Sequence, residues 1–179
     1  YLLAKYERKI KNYEKELNYL IKGHQNFYQF YKKKFDLGIK YCFDDVHQIV
    51  KGGEVEKSNK KNNNELKPIF IVGVPRCGST LVERIIGSGK NNIPIGEETG
   101  VIGHFIPSKV LEKKSLNLGS VDNLRSELFN IYKDKGLISK KHDYIFTDKS
   151  LDNFFYLKII KEIYPNAKII NCKRNILSS

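Results

Sequence analysis

One segment of the chain combines residue types and spacings that suit the binding of an anion. It covers residues 68–86, Pro-Ile-Phe-Ile-Val-Gly-Val-Pro-Arg-Cys-Gly-Ser-Thr-Leu-Val-Glu-Arg-Ile-Ile. Residues 69–72 are β-branched or aromatic and predict a strand buried on both faces. Gly73 and Gly78 then frame a loop that contains Arg76, and a helix is predicted to begin directly after the second glycine. A strand, a glycine-framed loop and a helix N-terminus make an anion cradle, because free backbone N–H groups and the positive end of the helix dipole meet there.

The loop differs from a nucleotide P-loop at the residue that identifies the P-loop. The spacing from Gly73 to Gly78 matches, but Ser79 stands where the Lys should follow. A nucleoside triphosphate needs that Lys against its outer phosphates, so its absence argues against an ATPase or a kinase. Arg76 instead supplies positive charge from inside the loop. A guanidinium pairs with two oxygens of a phosphate or a sulfate without requiring a metal.

The segment Pro-Arg-Cys-Gly-Ser-Thr-Leu-Val-Glu, residues 75–83, resembles the Pro-Arg-Ser-Gly-Thr-Thr-Leu phosphosulfate loop of sulfotransferases. It is most similar to the bacterial branch that is related to tyrosylprotein sulfotransferases and often fused to tetratricopeptide repeats. The resemblance implies that this loop binds the 5′-phosphosulfate of 3′-phosphoadenosine 5′-phosphosulfate (PAPS). The implied binding residues are Arg76, Cys77, Gly78, Ser79 and Thr80. Cys77 departs from the usual Ser and removes one hydroxyl donor while leaving the backbone cradle.

A second motif, Gly-Glu-Glu-Thr at residues 96–99, places two adjacent carboxylates after the loop. Such acids either remove a proton from an acceptor hydroxyl or stabilise a helix N-terminus. The motif is similar to the segment of tyrosylprotein sulfotransferases whose second Glu is the catalytic base. The resemblance therefore implies that Glu98 is the base, with Glu97 as the alternative. Gly100 stands where the tyrosine-sulfating enzymes have Arg, which argues against an acidic peptide as the acceptor.

Two further motifs follow predicted strands. The strand at residues 144–147 leads into Asp-Lys-Ser-Leu-Asp-Asn-Phe, which resembles the family element whose Lys meets the transferring sulfuryl group. Lys149 is the matching residue, and the carboxyl end of a parallel strand is a usual place for ligand contacts. The strand at residues 167–172 leads into Arg174, which the resemblance implies binds the 3′-phosphate of the donor. The family's partner Ser for that phosphate lies beyond residue 179.

The net charge of +12 does not by itself indicate a nucleic-acid partner. Residues 1–67 carry 15 basic and 9 acidic side chains and residues 68–179 carry 17 and 11, so each part contributes +6. A diffuse positive charge favours anionic ligands in general, and we predict no nucleic-acid partner. Cys42, Cys77 and Cys172 are too scattered for a disulfide framework or a zinc site, which favours a cytoplasmic location. No stretch approaches the ~20 apolar residues of a membrane span.

The hydrophobic pattern divides the chain into three parts. Residues 1–50 read as a helical arm, whose start resembles the end of a tetratricopeptide repeat and whose aromatic stripe is predicted to dock on the next domain. Residues 51–67 are rich in Gly, Lys and Asn and predict a flexible linker. Residues 68–179 are the predicted sulfotransferase domain, which we expect to be incomplete at its C-terminus because the sequence stops directly after a strand.

These observations predict an α/β fold, a P-loop-like three-layer domain with a mainly parallel sheet, preceded by the helical arm. The predicted function is transfer of a sulfuryl group from PAPS to a hydroxyl of a protein tyrosine, a carbohydrate or a small molecule. Glu98 is the base, Arg76 and Lys149 stabilise the developing charge, and no metal is required. Two alternatives stay open. One is a nucleotide kinase or NTPase with Asp148 as a Mg²⁺ ligand, and the other is a non-catalytic adaptor that binds a protein partner through its helical repeats.

Overall fold

The chain forms two compact units, Tyr1–Asp45 and Val46–Ser179. The structure, a computed structural model, describes residues 1–57, 66–138 and 144–175. No helix within these ranges is both long enough and apolar enough to cross a membrane.

The first unit is a pair of packed helices, α1 (Leu2–Lys9) and α2 (Tyr13–Lys40), followed by a π-helical turn (Tyr41–Asp45). The helices are separated by residues 10–12. Asn12 is the N-cap of α2, and its side chain accepts a hydrogen bond from the backbone N–H of Lys15 at 3.3 Å. The aromatic stripe on α2 is largely exposed. Its docking on the next domain therefore stays a prediction. The tetratricopeptide assignment also stays a prediction, because a single pair of helices contains no repeat.

The second unit alternates helices and strands along the chain. In order these are α3 (Val46–Gly52), β1 (Glu54–Glu56), β2 (Lys67–Gly73), α4 (Ser79–Gly87), α5 (Val101–Lys113), β3 (Asn117–Ser120), α6 (Val121–Asp134), β4 (Ile145–Asp148), a 3₁₀ segment (Leu151–Tyr156), α7 (Leu157–Ile163) and β5 (Lys168–Cys172). In the described residues the strands form one sheet in the order β4-β2-β5 and a second of β1 with β3, and every pairing is parallel. The predicted α/β class with a mainly parallel sheet is confirmed.

Strand β2 occupies the centre of the three-stranded sheet and is covered on both faces. On one face Phe70 joins the main core with side chains of α5, α6 and α7. On the other face Ile71 packs with Cys77 and Cys172, next to apolar side chains of α4. This alternation explains why the strand reads as a continuous apolar run. Because the three strands are parallel, their carboxyl ends meet at one edge, where the loop after β2 and the residues after β4 and β5 lie side by side.

The predicted linker, residues 51–67, contains regular structure at its described ends. Residues 54–56 form β1, which pairs with β3, and Asn117 donates a side-chain hydrogen bond to Glu56 at 3.1 Å. Leu66 is buried at the other end, directly before β2. Composition missed this strand because it is stabilised by a partner some sixty residues away. Residues 58–65 lie outside the described residues, and the boundaries at 50 and 67 stay predictions.

A buried phenol on α6 makes the stability of the fold fall at alkaline pH. Tyr132 donates a hydrogen bond to Asp148 Oδ2 at 2.9 Å, and burial, with the Asp148 charge, raises the pKa of its phenol well above the usual value. A raised pKa in the folded state means that the contribution to stability is complete below the unfolded pKa of about 10 and is lost as pH rises above it.

We expect Tyr132→Phe to lower the free energy of unfolding by about 1.5–3 kcal/mol at pH 7, the value of a hydrogen bond to a charged group. The deficit should shrink by roughly 1.4 kcal/mol at pH 11, one unit above the unfolded pKa, because only the wild-type unfolded chain gains by ionising this phenol. Denaturant titrations of both proteins at the two pH values measure the difference. An equal deficit at both values would contradict the prediction.

Candidate active site

The loop between β2 and α4 adopts the backbone shape that its glycines permit. At Gly73, φ is 152°, and a Cβ there would lie 2.5 Å from the carbonyl oxygen of Cys172 and 2.9 Å from Cys77 Sγ. At Gly78, φ is 94° with no atom near the Cβ position, so backbone conformation alone requires glycine there. Arg76 also has a positive φ, 67°. The loop is thus a tight turn that ends at the first residue of α4.

A cavity of about 380 Å³, the loop cavity, opens in front of this turn. No side chain among the described residues caps α4, so the first N–H groups of the helix and the positive end of its dipole are available to an anion. The described residues that line the loop cavity are Pro75, Arg76, Gly78, Ser79, Thr80, Glu98, Leu151 and Arg174. Arg174 donates a hydrogen bond from Nη1 to the carbonyl oxygen of Arg76 at 3.3 Å, so two arginines lie at the same cavity.

Cys77 is the one predicted donor-binding residue that does not line the loop cavity. Its side chain is buried beneath the loop beside Cys172 and Ile71. Both thiols lie in this apolar cluster, and burial, with Cys77 as a neighbour, raises the pKa of the Cys172 thiol. The replacement of Ser by Cys at this position therefore changes the packing under the loop, and the cavity lining is provided by other residues.

The Gly-Glu-Glu-Thr motif lies against β4. A Cβ on Gly96 would lie 2.1 Å from the carbonyl oxygen of Thr147, which explains why the motif begins with glycine. The Gly96 N–H donates to Thr147 Oγ1 at 3.1 Å, and the Lys149 N–H donates to the Glu97 carbonyl oxygen at 2.8 Å. These bonds hold the motif beside the carboxyl end of β4. The sequence motif gives no sign of this anchoring, because the partners are about fifty residues apart.

The two carboxylates of the motif have different partners. Glu97 has a φ of 55°, and its Oε1 lies 2.8 Å from Arg84 Nη2 in a solvent-exposed ion pair. Glu98 Oε1 accepts a hydrogen bond from Lys149 Nζ at 2.9 Å, and the Lys149 side chain is only 6% exposed. The structure therefore brings Glu98 and Lys149 into direct contact and turns the side chain of Glu97 toward α4.

A second cavity of about 530 Å³, the side cavity, adjoins this ion pair. The described residues that line it are Thr80, Glu83, Ile95, Gly96, Glu97, Glu98, Thr99, Lys135, Leu137 and Lys149. Thr80 and Glu98 line the loop cavity as well. These two residues therefore form the wall that the two cavities share, and Lys149 donates a hydrogen bond to one of them, Glu98.

Asp148, at the end of β4, is buried and accepts five hydrogen bonds. The donors are Thr99 Oγ1 at 2.6 Å, Tyr132 OH at 2.9 Å, Ser150 N at 3.0 Å, Ser150 Oγ at 2.7 Å and Asn153 Nδ2 at 3.1 Å. With its oxygens so occupied, Asp148 is not free to hold Mg²⁺, which argues against the role considered for it in a kinase. Across the described ranges no group of three His, Cys, Asp or Glu side chains is placed to hold a metal ion.

Sequence reasoning did not identify the residues that donate hydrogen bonds to Asp148. It also did not identify a role for Glu83, which lies behind the Gly-Glu-Glu-Thr motif. The spacing of Asp148, Ser150 and Asn153 did contain a signal. An Asp that accepts from the N–H two residues later forms an Asx-turn, and such a turn fixes the direction in which the chain leaves the strand. Thr99 and Tyr132 had no local signal, because they reach Asp148 from other elements.

In the described residues a three-stranded parallel sheet carries a glycine-framed turn at its carboxyl edge, near a paired carboxylate and lysine, which is an α/β arrangement. The sequence profile of the Sulfotransferase family matches residues 68–179, more than half of the chain. The chain belongs to the Sulfotransferase family. The family predicted from the sequence motifs is thus confirmed, while the relation to tyrosylprotein sulfotransferases stays a prediction.

The chain is also similar to a curated protein of Aquifex aeolicus (strain VF5) that is described as uncharacterized. The two are 28% identical over 190 aligned positions, which cover 99% of this chain and 24% of the relative. The chain thus spans about a quarter of the length of the curated relative that it matches. No solved structure shows a significant match to the chain.

Proposed function

We propose that the protein transfers a sulfuryl group from PAPS to the hydroxyl group of an acceptor. The observation that carries this proposal is the shared wall of the two cavities, where Glu98 and Thr80 face an anion-binding turn on one side and the side cavity on the other. A donor in the loop cavity and an acceptor in the side cavity would meet at Glu98, beside Lys149.

The residues of the loop cavity fit the charge pattern of the donor. The N-terminus of α4 and Arg76 are suited to the 5′-phosphosulfate, because both offer hydrogen-bond donors to paired oxygens. Arg174 offers a second guanidinium at the same cavity, which suits the 3′-phosphate. When bound, PAPS supplies a sulfuryl group on a bond that breaks to leave adenosine 3′,5′-bisphosphate.

Glu98 is proposed as the general base. Its carboxylate takes the proton of the acceptor hydroxyl as the hydroxyl oxygen bonds to sulfur, and the bond from sulfur to the bridging oxygen breaks on the opposite side. Glu97 is the less favoured alternative, since its carboxylate is paired with Arg84 and it does not line the loop cavity. The geometry thus supports the second Glu of the motif over the first.

Lys149 is proposed to stabilise the charge that develops on the sulfuryl and bridging oxygens. Before reaction its ammonium is paired with the Glu98 carboxylate at 2.9 Å. When Glu98 takes up the proton its negative charge is lost, and the ammonium is left beside the reacting atoms without a counter-charge. A largely buried ammonium interacts with new negative charge more strongly than one surrounded by water.

The acceptor is proposed to occupy the side cavity. Its described lining is mainly polar and charged, with Ile95 and Leu137 as the apolar side chains. This favours a polar hydroxyl acceptor, and protein tyrosine, carbohydrate and small molecule all stay within the proposal. A protein partner for the helical arm and a cytoplasmic location also stay proposals that rest on the sequence.

The proposal is tested by incubating the full-length protein with radiolabelled PAPS and a panel of hydroxyl acceptors in the absence of added Mg²⁺. We expect label to move to at least one acceptor, with release of adenosine 3′,5′-bisphosphate in equal amount. Phosphoryl transfer from ATP that depends on Mg²⁺, together with no PAPS binding, would support the kinase alternative. Binding of a protein partner with no nucleotide affinity would support the adaptor.

A substitution at Lys149 separates a role in the reaction from a role in binding. We expect Lys149→Ala to lower turnover by about 10–10²-fold and to change the dissociation constant of PAPS by less than about threefold, because the contact gains strength only in the transition state. Exposed Lys158 on α7 provides the control, and Lys158→Ala should leave both quantities unchanged. If Lys149→Ala weakens PAPS binding and turnover equally, Lys149 lies outside the reacting centre.

A further inference from the structure

Glu83 is a carboxylate in an unexpected place. It lies in the second turn of α4 and is fully buried. Burying a charged or polar group is unfavourable unless hydrogen bonds compensate, and an apolar side chain of similar size would fill the same space without that penalty. Glu83 Oε1 accepts two hydrogen bonds, from the Glu97 N–H at 3.0 Å and from Thr147 Oγ1 at 2.7 Å. Oε2 has no partner among the described residues. The role of the acid therefore depends on those two bonds.

The first bond holds a strained peptide. Glu97 has a left-handed φ of 55°, a conformation that is unfavourable for a non-glycine residue and persists only where the surroundings hold it. Its N–H is held by Glu83, and its carbonyl oxygen is held by the Lys149 N–H at 2.8 Å. The left-handed turn fixed in this way sends the side chain of Glu97 toward Arg84 and leaves Glu98 against Lys149.

The second bond extends the same anchor by one residue. Thr147 Oγ1 donates to Glu83 Oε1 and accepts from the Gly96 N–H at 3.1 Å. Glu83 thus fixes two successive N–H groups of the motif, that of Glu97 directly and that of Gly96 through the threonine. It does so from α4, the helix whose N-terminus forms the anion-binding turn.

We propose that Glu83 is a positioning residue that ties the segment carrying the base to the helix that holds the donor. The inference rests on the proposed function, since it gives Glu98 the role of base. Glu83 is fully buried behind the wall of the side cavity, and both of its hydrogen bonds go to Glu97 and Thr147, so we argue that it acts through these two residues. Its effect is to fix the distance between the base on residues 96–99 and the sulfuryl group at the turn.

Two substitutions of similar size separate this role from simple packing. Glu83→Leu removes both hydrogen bonds, whereas Glu83→Gln keeps a carbonyl oxygen that can accept both of them. We expect Glu83→Leu to lower turnover with PAPS by about 10–10²-fold, because a small displacement of a reacting group is enough for such a loss. The dissociation constant for adenosine 3′,5′-bisphosphate, measured by calorimetry, should change by less than about threefold, because the turn itself is intact.

Thermal denaturation of the variants helps to distinguish a positioning role from a purely structural one. Glu83→Leu leaves the Glu97 N–H and the buried Thr147 hydroxyl without their acceptor, so a lower Tm is expected. Turnover that is lost well below that Tm, while the affinity for adenosine 3′,5′-bisphosphate is retained, indicates positioning, whereas a purely structural role would lower both together. Glu83→Gln should retain turnover within about threefold of the wild type, since its oxygen can make the same contacts.

Hydrogen–deuterium exchange on the full-length protein tests the anchor without any turnover. We expect the amides of residues 96 and 97 to exchange at least about tenfold faster in Glu83→Leu than in the wild type or in Glu83→Gln. Glu97 loses its acceptor, and the Thr147 hydroxyl that accepts from Gly96 is no longer held by Glu83. Amide exchange and turnover at wild-type rates in Glu83→Leu would overturn the inference. Equal losses of turnover in Glu83→Leu and Glu83→Gln would overturn it as well. A wild type that transfers no sulfuryl group would overturn the proposed function instead, and the exchange rates would then decide on the anchor alone.

Discussion

Glu98→Gln is expected to reduce turnover with PAPS by about 10²–10⁴-fold, the usual contribution of a general base. Glutamine has nearly the same size, and its carbonyl oxygen can still accept the hydrogen bond that Lys149 donates to Glu98 at 2.9 Å. It cannot take up the proton of the acceptor hydroxyl. The reacting geometry is thus retained while the proton acceptor is lost. Initial rates at saturating donor and acceptor measure the loss, and calorimetry should show the affinity for adenosine 3′,5′-bisphosphate retained within about threefold.

The neighbouring acid provides the matched comparison. Glu97→Gln makes the same chemical change one residue earlier, in an exposed ion pair with Arg84. Exposed ion pairs contribute about 0–1 kcal/mol, so this variant should stay within about fivefold of the wild type. If Glu97→Gln is the damaging change and Glu98→Gln is silent, the base is Glu97. Full activity in both variants would leave the motif without a catalytic base.

The full-length protein is expected to bind adenosine 3′,5′-bisphosphate about 10²–10⁴-fold more tightly than ATP, if two charge-assisted contacts to the 3′-phosphate contribute about 1.5–3 kcal/mol each. The loop has Ser79 where an ATP-binding P-loop has Lys, which removes the contact on which the outer phosphates of ATP depend. Arg174 lines the loop cavity and is proposed to supply one of the two contacts. Calorimetric titrations without Mg²⁺ measure both ligands directly.

Arg174→Ala tests whether the 3′-phosphate is the cause of the preference for the bisphosphate over ATP. The substitution should reduce the affinity for the bisphosphate by about 10–10²-fold, the equivalent of one charge-assisted contact. The affinity for ATP, which has no 3′-phosphate, should change little. Tighter binding of ATP by the wild type, or binding that requires Mg²⁺, would contradict the sulfotransferase proposal and favour the kinase.

The parts of the fold that could be predicted from the sequence are those set by neighbouring residues. The apolar run before Gly73 predicted strand β2, and the helix after Gly78 begins at Ser79 as predicted. Pro165 and Asn166 separate α7 from β5, since a residue before proline is disfavoured in a helix. In each case residues within a few positions fix the local conformation, so the pattern is visible in one short window.

The anchoring of the candidate site could not be predicted in this way. Glu83 lies in an otherwise ordinary amphipathic helix, and nothing nearby shows that it accepts a hydrogen bond from Glu97 fourteen residues later. Its bond to Thr147 spans 64 positions. Such contacts depend on which strands are neighbours in the sheet, and strand order is a property of the whole fold. The motifs therefore indicate which residues react, and the tertiary structure shows what holds them.

The wall shared by the two cavities has a consequence for the order of events in the proposed reaction. Because Thr80 and Glu98 border both spaces, donor and acceptor have room to be present together, each entering by its own side. The sulfuryl group then passes directly between them, and no side chain has to carry it as a covalent intermediate. Nor does the spent nucleotide have to leave before the acceptor binds. Catalysis in such an arrangement proceeds through a ternary complex, with the slow step free to shift from chemistry to nucleotide release.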